Sequence, residues 1–139
     1  PYWFLYEGTP GGEFNLDDYW VDSSDKKRTA AKFDSDNEWQ QSLPHPKWVY
    51  FGDPRLERVL FLIHHTAGDE EDQFWHFGEG TMTVFGFGRG SYGTDQWQQL
   101  DEVPGEFTIG FAPDSSFARV KSYLEQFVSP ASVTEICSH

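Results

Sequence analysis

The stretch HHTAGDEEDQFWHF, His64 to Phe77, sets two adjacent histidines, four consecutive carboxylates and a third histidine close together. Side chains of these types can hold a metal ion, move a proton or hydrogen-bond the hydroxyls of a sugar. Hard cations such as Ca²⁺ want about six to eight oxygens, and acidic loops between strands supply them. Asp69 and Asp72 are the candidate ligands for such an ion, because four neighbouring carboxylates cannot all converge on one point and the spacing matches no EF-hand. A zinc site would use His64 or His65 with His76. Adjacent strand residues point to opposite faces, so at least one of His64 and His65 is not a ligand. His65 is nearer the acidic turn, and a following strand can bring His76 opposite it. That makes His65 and His76 the favoured pair, with Trp75 beside them. The plainer alternative is a solvated turn flanked by structural histidines.

Two further segments carry candidate chemistry. In EGTPGGEFNLDDYW (7–20) three glycines permit close backbone approach, Glu7, Asp17 and Asp18 can accept hydrogen bonds from hydroxyls, and Tyr19 and Trp20 can stack on a pyranose ring. The alternative is a corner whose aromatics cover a sheet edge. In GFGRGSYG (86–93) the glycines do not form a dinucleotide fingerprint, since nothing helical follows Gly93. The segment reads as a glycine-rich strand end presenting Arg89 and Tyr92. Arg89 can grip a uronate or sulfate with two parallel hydrogen bonds, or bridge to one of the chain's own carboxylates. A lyase acting on a uronide would draw on His64, His65, Arg89 and Tyr92. Nucleophilic catalysis finds little support: there is no G-x-S-x-G elbow, and the single Cys137 lies at the C-terminal end.

These residues must be positioned by a scaffold of strands. ERVLFLIHH (57–65) is apolar on both alternating sets, the pattern of a strand covered on both faces. TMTVFGFGR (81–89) alternates bulky residues with glycines, marking close approach of another segment. Shorter aromatic and β-branched runs at 2–7, 47–52, 73–77 and 106–111 are strand candidates, separated by Gly, Pro and Asp turn signals. Val59–Ile63 and Val84–Phe87 are expected on inner strands of one antiparallel system. The polar segment 22–43 reads as a long loop with a short helical turn near Lys27–Lys32. Within 115–128, Phe117, Val120, Leu124 and Phe127 recur at helical spacing, with Asp114 or Ser115 as cap and Pro130 as stop. The expected fold is a mainly β single domain over 1–139, an antiparallel β-sandwich or jelly roll with one C-terminal amphipathic helix. A start without Met, inside a strand, suggests a chain excised or processed from a longer one.

Composition narrows the function classes. With 23 acidic against 10 basic residues, the formal charge of −13 disfavours nucleic acid and an anionic membrane surface. Aromatics reach 18%, more rings than a core of this size readily absorbs, so some are expected at a binding face. Abundant Trp and Tyr, acidic loops and Gly-rich turns together favour carbohydrate binding within a secreted, extracellular carbohydrate-active protein. The expected contacts are Trp20, His65, Trp75, His76, Arg89 and Tyr92, with no cofactor or with Ca²⁺. The alternatives are a small polysaccharide lyase or hydrolase, and an interaction subunit meeting a partner chain or itself through exposed aromatics.

Overall fold

The computed structural model describes residues 4–6, 17–29, 38–65, 71–77, 82–86 and 106–128. They are mainly β, in antiparallel sheets with a C-terminal helix, as the patterning predicts. The strands are β1 (Phe4–Tyr6), β2 (Tyr19–Asp22), β3 (Lys27–Thr29), β4 (Glu38–Gln41), β5 (Trp48–Gly52), β6 (Val59–His64), β7 (Asp72–Phe77), β8 (Met82–Gly86) and β9 (Phe107–Ala112), followed by helix α1 (Phe117–Val128). One sheet has five strands in the order β3-β2-β5-β6-β9, the other four in the order β1-β8-β7-β4.

The five-stranded sheet is apolar on both faces, and each face has its own core. On one, Trp20, Val49, Phe51 and Leu62 gather with Leu43 and with Phe85 of β8. Phe85 lies 6.1 Å from the Trp20 ring and 5.8 Å from Phe51, which brings the four-stranded sheet onto this face. On the other, Tyr19, Val21, Trp48, Tyr50, Val59, Phe61 and Ile63 pack against Val120 and Leu124 of α1. The doubly apolar pattern of β6 follows directly: its residues serve both cores in alternation.

Two close approaches rely on missing side chains. Gly110 faces Phe61 across the β6–β9 pair, where an added Cβ would fall 2.8 Å from the phenyl ring. Gly52 is covered in the same way by the Tyr19 ring on the neighbouring strand. A ring laid over a cross-strand glycine restores the packing that the glycine itself cannot supply.

Three sequence expectations need correction. First, β6 and β8 are both inner strands, but of different sheets. The acidic run therefore joins two sheets instead of closing a hairpin, and β6 pairs with β5 and β9 while β7 pairs with β4 and β8. Second, Lys27–Thr29 is strand, not helix. The turn before it is built by Asp22, whose Oδ1 accepts hydrogen bonds from Ser24 N (2.9 Å) and Ser24 Oγ (2.6 Å) and whose Oδ2 accepts one from Arg28 (2.8 Å). Asp25 takes the left-handed φ of 65° that closes it. Burial pushes the Asp22 carboxyl up, but the hydrogen bonds from Ser24 and Arg28 outweigh it and hold it below its ordinary value. Third, the helical stripe is not buried evenly: Val120 and Leu124 are fully buried, whereas Phe127, facing the sheet on Phe61, stays 37% exposed.

The helix starts slightly later than expected: Ser116, not Asp114 or Ser115, stands at the cap position before Phe117. Asp114 Oδ1 accepts from Ser116 N at 2.8 Å, while the Ser116 carbonyl accepts the first helical bond from Val120 N. The Ser116 amide, helped by Arg119 at 2.9 Å, lowers the Asp114 carboxyl to about 2. A carboxylate depressed in the folded state stabilises fully above its unfolded value and loses that contribution as pH falls through the folded one. Asp114→Asn should therefore melt below the wild type at neutral pH, and the two melting curves should converge between about pH 4 and pH 2. A constant difference across that range would place the effect elsewhere.

Candidate ligand-binding cleft

The sequence candidates scatter across the structure. Trp20 is 1% exposed, between Phe85 on one side and the Arg28 guanidinium, 4.1 Å from its ring, on the other. A ring so enclosed offers no stacking face to a sugar. Its neighbour Tyr19 is likewise buried, beneath Lys27 at 3.8 Å. Asp72 is fully buried; its Oδ2 lies 3.2 Å from Lys47 Nζ and accepts a hydrogen bond from Leu43 N at 2.9 Å. That carboxylate ties the lead-in of β5 to the start of β7. An ion bound there would have to displace a buried ammonium. Among the described residues no group of three or more His, Cys, Asp or Glu side chains is arranged to hold a metal. Trp75 and His76 sit on β7, opposite Val84 and Thr83 of β8, in the four-stranded sheet. His65 follows β6 of the five-stranded sheet, so the pairing of His65 with His76 across one hairpin does not form. Asp69, Arg89 and Tyr92 lie outside the described residues.

His65 does belong to a concave site. At the end of the five-stranded sheet, where β6 finishes and β9 begins, a cleft of about 480 Å³ opens. This falls within the roughly 300–1,000 Å³ of small-molecule sites. One wall is the chain entering β5, with His45, Pro46 and Lys47; the opposite wall is His65 and Glu106. Ile63 and His64 form the back, and the last turn of α1 adds Phe127 and Val128.

Backbone hydrogen bonds fix these walls. His64 N donates to the Lys47 carbonyl at 3.0 Å, and His65 N donates to the Glu106 carbonyl at 2.9 Å. His64 is buried, its ring stacked on Phe107 at a centroid distance of 4.4 Å. His65 is exposed, and its Nε2 lies 2.7 Å from Thr108 Oγ1 on the adjacent strand. That contact orients the imidazole and leaves Nδ1 as the nitrogen available to a ligand. Phe127 rests on Phe61 at 5.6 Å and on Tyr123 at 5.3 Å, so an exposed ring face is backed by two others.

No protein family, curated protein or solved structure matches the chain. Its chemistry has to be read from the cleft itself.

Three of the cleft's contributors escape a reading of local motifs. His45 stands between two prolines immediately before a strand, a pattern that holds a side chain at a strand entrance and was available as a signal. Glu106 is one of 23 acids and carries no mark of its own. Phe127 continues the apolar stripe of the helix, and only the point at which the sheet ends turns it from a core residue into a wall.

Proposed function

We propose that this domain binds a carbohydrate in the cleft between the end of the five-stranded sheet and the last turn of α1. The observation that carries the reading is the pairing of a backed, exposed Phe127 ring with exposed imidazoles and the Glu106 carboxylate around one cavity. A pyranose presents an apolar C–H face and a rim of hydroxyls. The ring suits the first, and the imidazoles and carboxylate suit the second. This reading takes its contacts from a histidine cleft instead of the tryptophans and retains His65 among them.

Calorimetric titration with a panel of oligosaccharides tests this. A saccharide that binds the wild type should lose about tenfold or more in affinity on Phe127→Ala and on His65→Ala, both at solvent-facing side chains. Melting curves of the two variants establish that they fold. If a saccharide binds and neither substitution weakens it, the cleft is not its site. If the panel yields no ligand, the carbohydrate reading falls.

A second reading rests on a different surface. Among the described strands β9 lies at the edge of its sheet, and its Ile109 and Phe111 are 56% and 62% exposed. An apolar edge of this kind is a natural place for a partner strand to add. Light scattering on the isolated domain and on Phe111→Lys separates the two: self-association that the lysine abolishes would support the interaction role.

A further inference from the structure

On the strength of the interaction reading of β9, we infer that its partner is a second copy of this chain. The two β9 strands pair antiparallel about a two-fold axis at Ile109 and continue one five-stranded sheet into the next. Backbone geometry prepares the strand for this. His65 N donates to the Glu106 carbonyl, and the β6–β9 register then runs without a break from His64 opposite Phe107 to Val59 opposite Ala112. In an antiparallel ladder, residues whose backbone groups face the partner strand alternate with residues whose groups face away. Thr108, Gly110 and Ala112 therefore turn their N–H and C=O groups toward β6, while Ile109 and Phe111 turn theirs outward. Among the described strands β6 is the only one paired with β9, and Ile109 and Phe111 are both exposed.

Edge strands are ordinarily protected from such pairing by charge, proline, a bulge or short length. β1, β3 and β4, the other strands at sheet edges among the described residues, have three or four residues each. β9 has six, FTIGFA, with no charge, no proline and no bulge. Its sequence also selects its own copy. Phe107, Ile109 and Phe111 share one face, and the pattern F-x-I-x-F reads the same in both directions. A two-fold at Ile109 sets this residue against its own counterpart and each Phe111 against Phe107 of the second copy, apolar opposite apolar along that face. On the other face Thr108 meets Gly110 of the second copy, which has no side chain to compete for the space. Each chain carries a formal charge of −13, and an uncharged strand is where two such copies approach with the least repulsion.

Sedimentation equilibrium of the whole chain, from micromolar to millimolar concentration, tests this. Pairing through one short strand makes a small interface, so the dimer should be weak and the mass should climb with concentration. It should stop at two copies, because a two-fold contact closes on itself. Ile109→Pro removes only an outward N–H, which an edge strand tolerates, and should weaken association by about tenfold or more without unfolding the chain. Ile109→Lys leaves the backbone as it is, sets two ammonium groups face to face, and should act in the same direction. Ile109→Cys, made together with Cys137→Ser, should give a disulfide-linked dimer on oxidation by diamide, since residues facing each other at the axis lie about 5.5 Å apart at Cα. Phe111→Cys in the same background should not, because it faces Phe107. A monomer at every concentration would overturn the pairing of two copies. So would association that Phe111→Lys abolishes and Ile109→Pro leaves intact, an outcome in which the interaction reading of β9 survives through its side chains. Association untouched by either substitution would remove that reading and the pairing together. Equal cross-linking through Ile109→Cys and Phe111→Cys would overturn the two-fold at Ile109.

Discussion

Asp72→Ala should lower the unfolding free energy by roughly 3–5 kcal/mol. Lys47 and Asp72 are 1% and 0% exposed at the side chain, so neither charge has water to fall back on. Removing the carboxylate takes away the charge 3.2 Å from the buried ammonium and the oxygen to which Leu43 N donates. The cost of an uncompensated buried charge, not the attraction lost between the partners, dominates such a change. The distinction is testable, because replacing both members with apolar residues should be far milder. Lys47→Met combined with Asp72→Leu should return most of the lost stability in urea unfolding, with the non-additivity measuring the coupling. A loss of under about 1 kcal/mol for Asp72→Ala would mean that water reaches the pair and that the two segments are not tied through it. The same substitution should loosen the cleft, since the Lys47 carbonyl accepts the hydrogen bond that anchors His64 N.

The strands that bury both faces are the ones that their sequences announce. β5 and β6 are continuous aromatic and aliphatic runs, and almost every residue in them is buried. β3 and β4 are KRT and EWQQ, at the edges of the sheets among the described strands, and short polar strands of this kind look like loops in sequence. What makes Lys27–Thr29 a strand is the Asp22 turn before it and the partner β2 beside it, neither of which appears in local periodicity.

The site was less legible for a related reason. Strand alternation correctly separates His64 from His65, one buried and the other exposed. Placing His76 across from His65 required assuming that consecutive strands pair, and here the chain leaves one sheet for the other between β6 and β7. Tryptophan content likewise points to a binding surface only if the rings are outside. Trp20 and Trp48 are each 1% exposed, because a sheet with two apolar faces needs large side chains on both sides. Among the described residues such a sheet takes up Trp20 and Trp48, rings that composition alone assigns to a ligand.

Leu124→Ala should cost about 2–5 kcal/mol, the range for removing a fully buried leucine side chain and leaving a cavity behind. Leu124 is 0% exposed and lies with Val120 against Phe61, Ile63 and Trp48, at the centre of the core between α1 and the five-stranded sheet. Those sheet residues are pinned by strand pairing on both sides, so the walls cannot collapse far into the gap, and the loss should fall in the upper part of the range. Phe127→Ala, one turn later, supplies the contrast. Its ring touches Phe61 and Tyr123 but already meets solvent over 37% of its surface, so the transfer lost is smaller and no closed cavity remains. Urea unfolding of the two variants should therefore separate them clearly, with Leu124→Ala the weaker protein even though phenylalanine is the larger side chain deleted. Equal losses would mean that the end of α1 holds the helix to the sheet as firmly as its middle does. In that case the cleft wall would be part of the structural core, and changes made there to weaken ligand binding would weaken the fold as well.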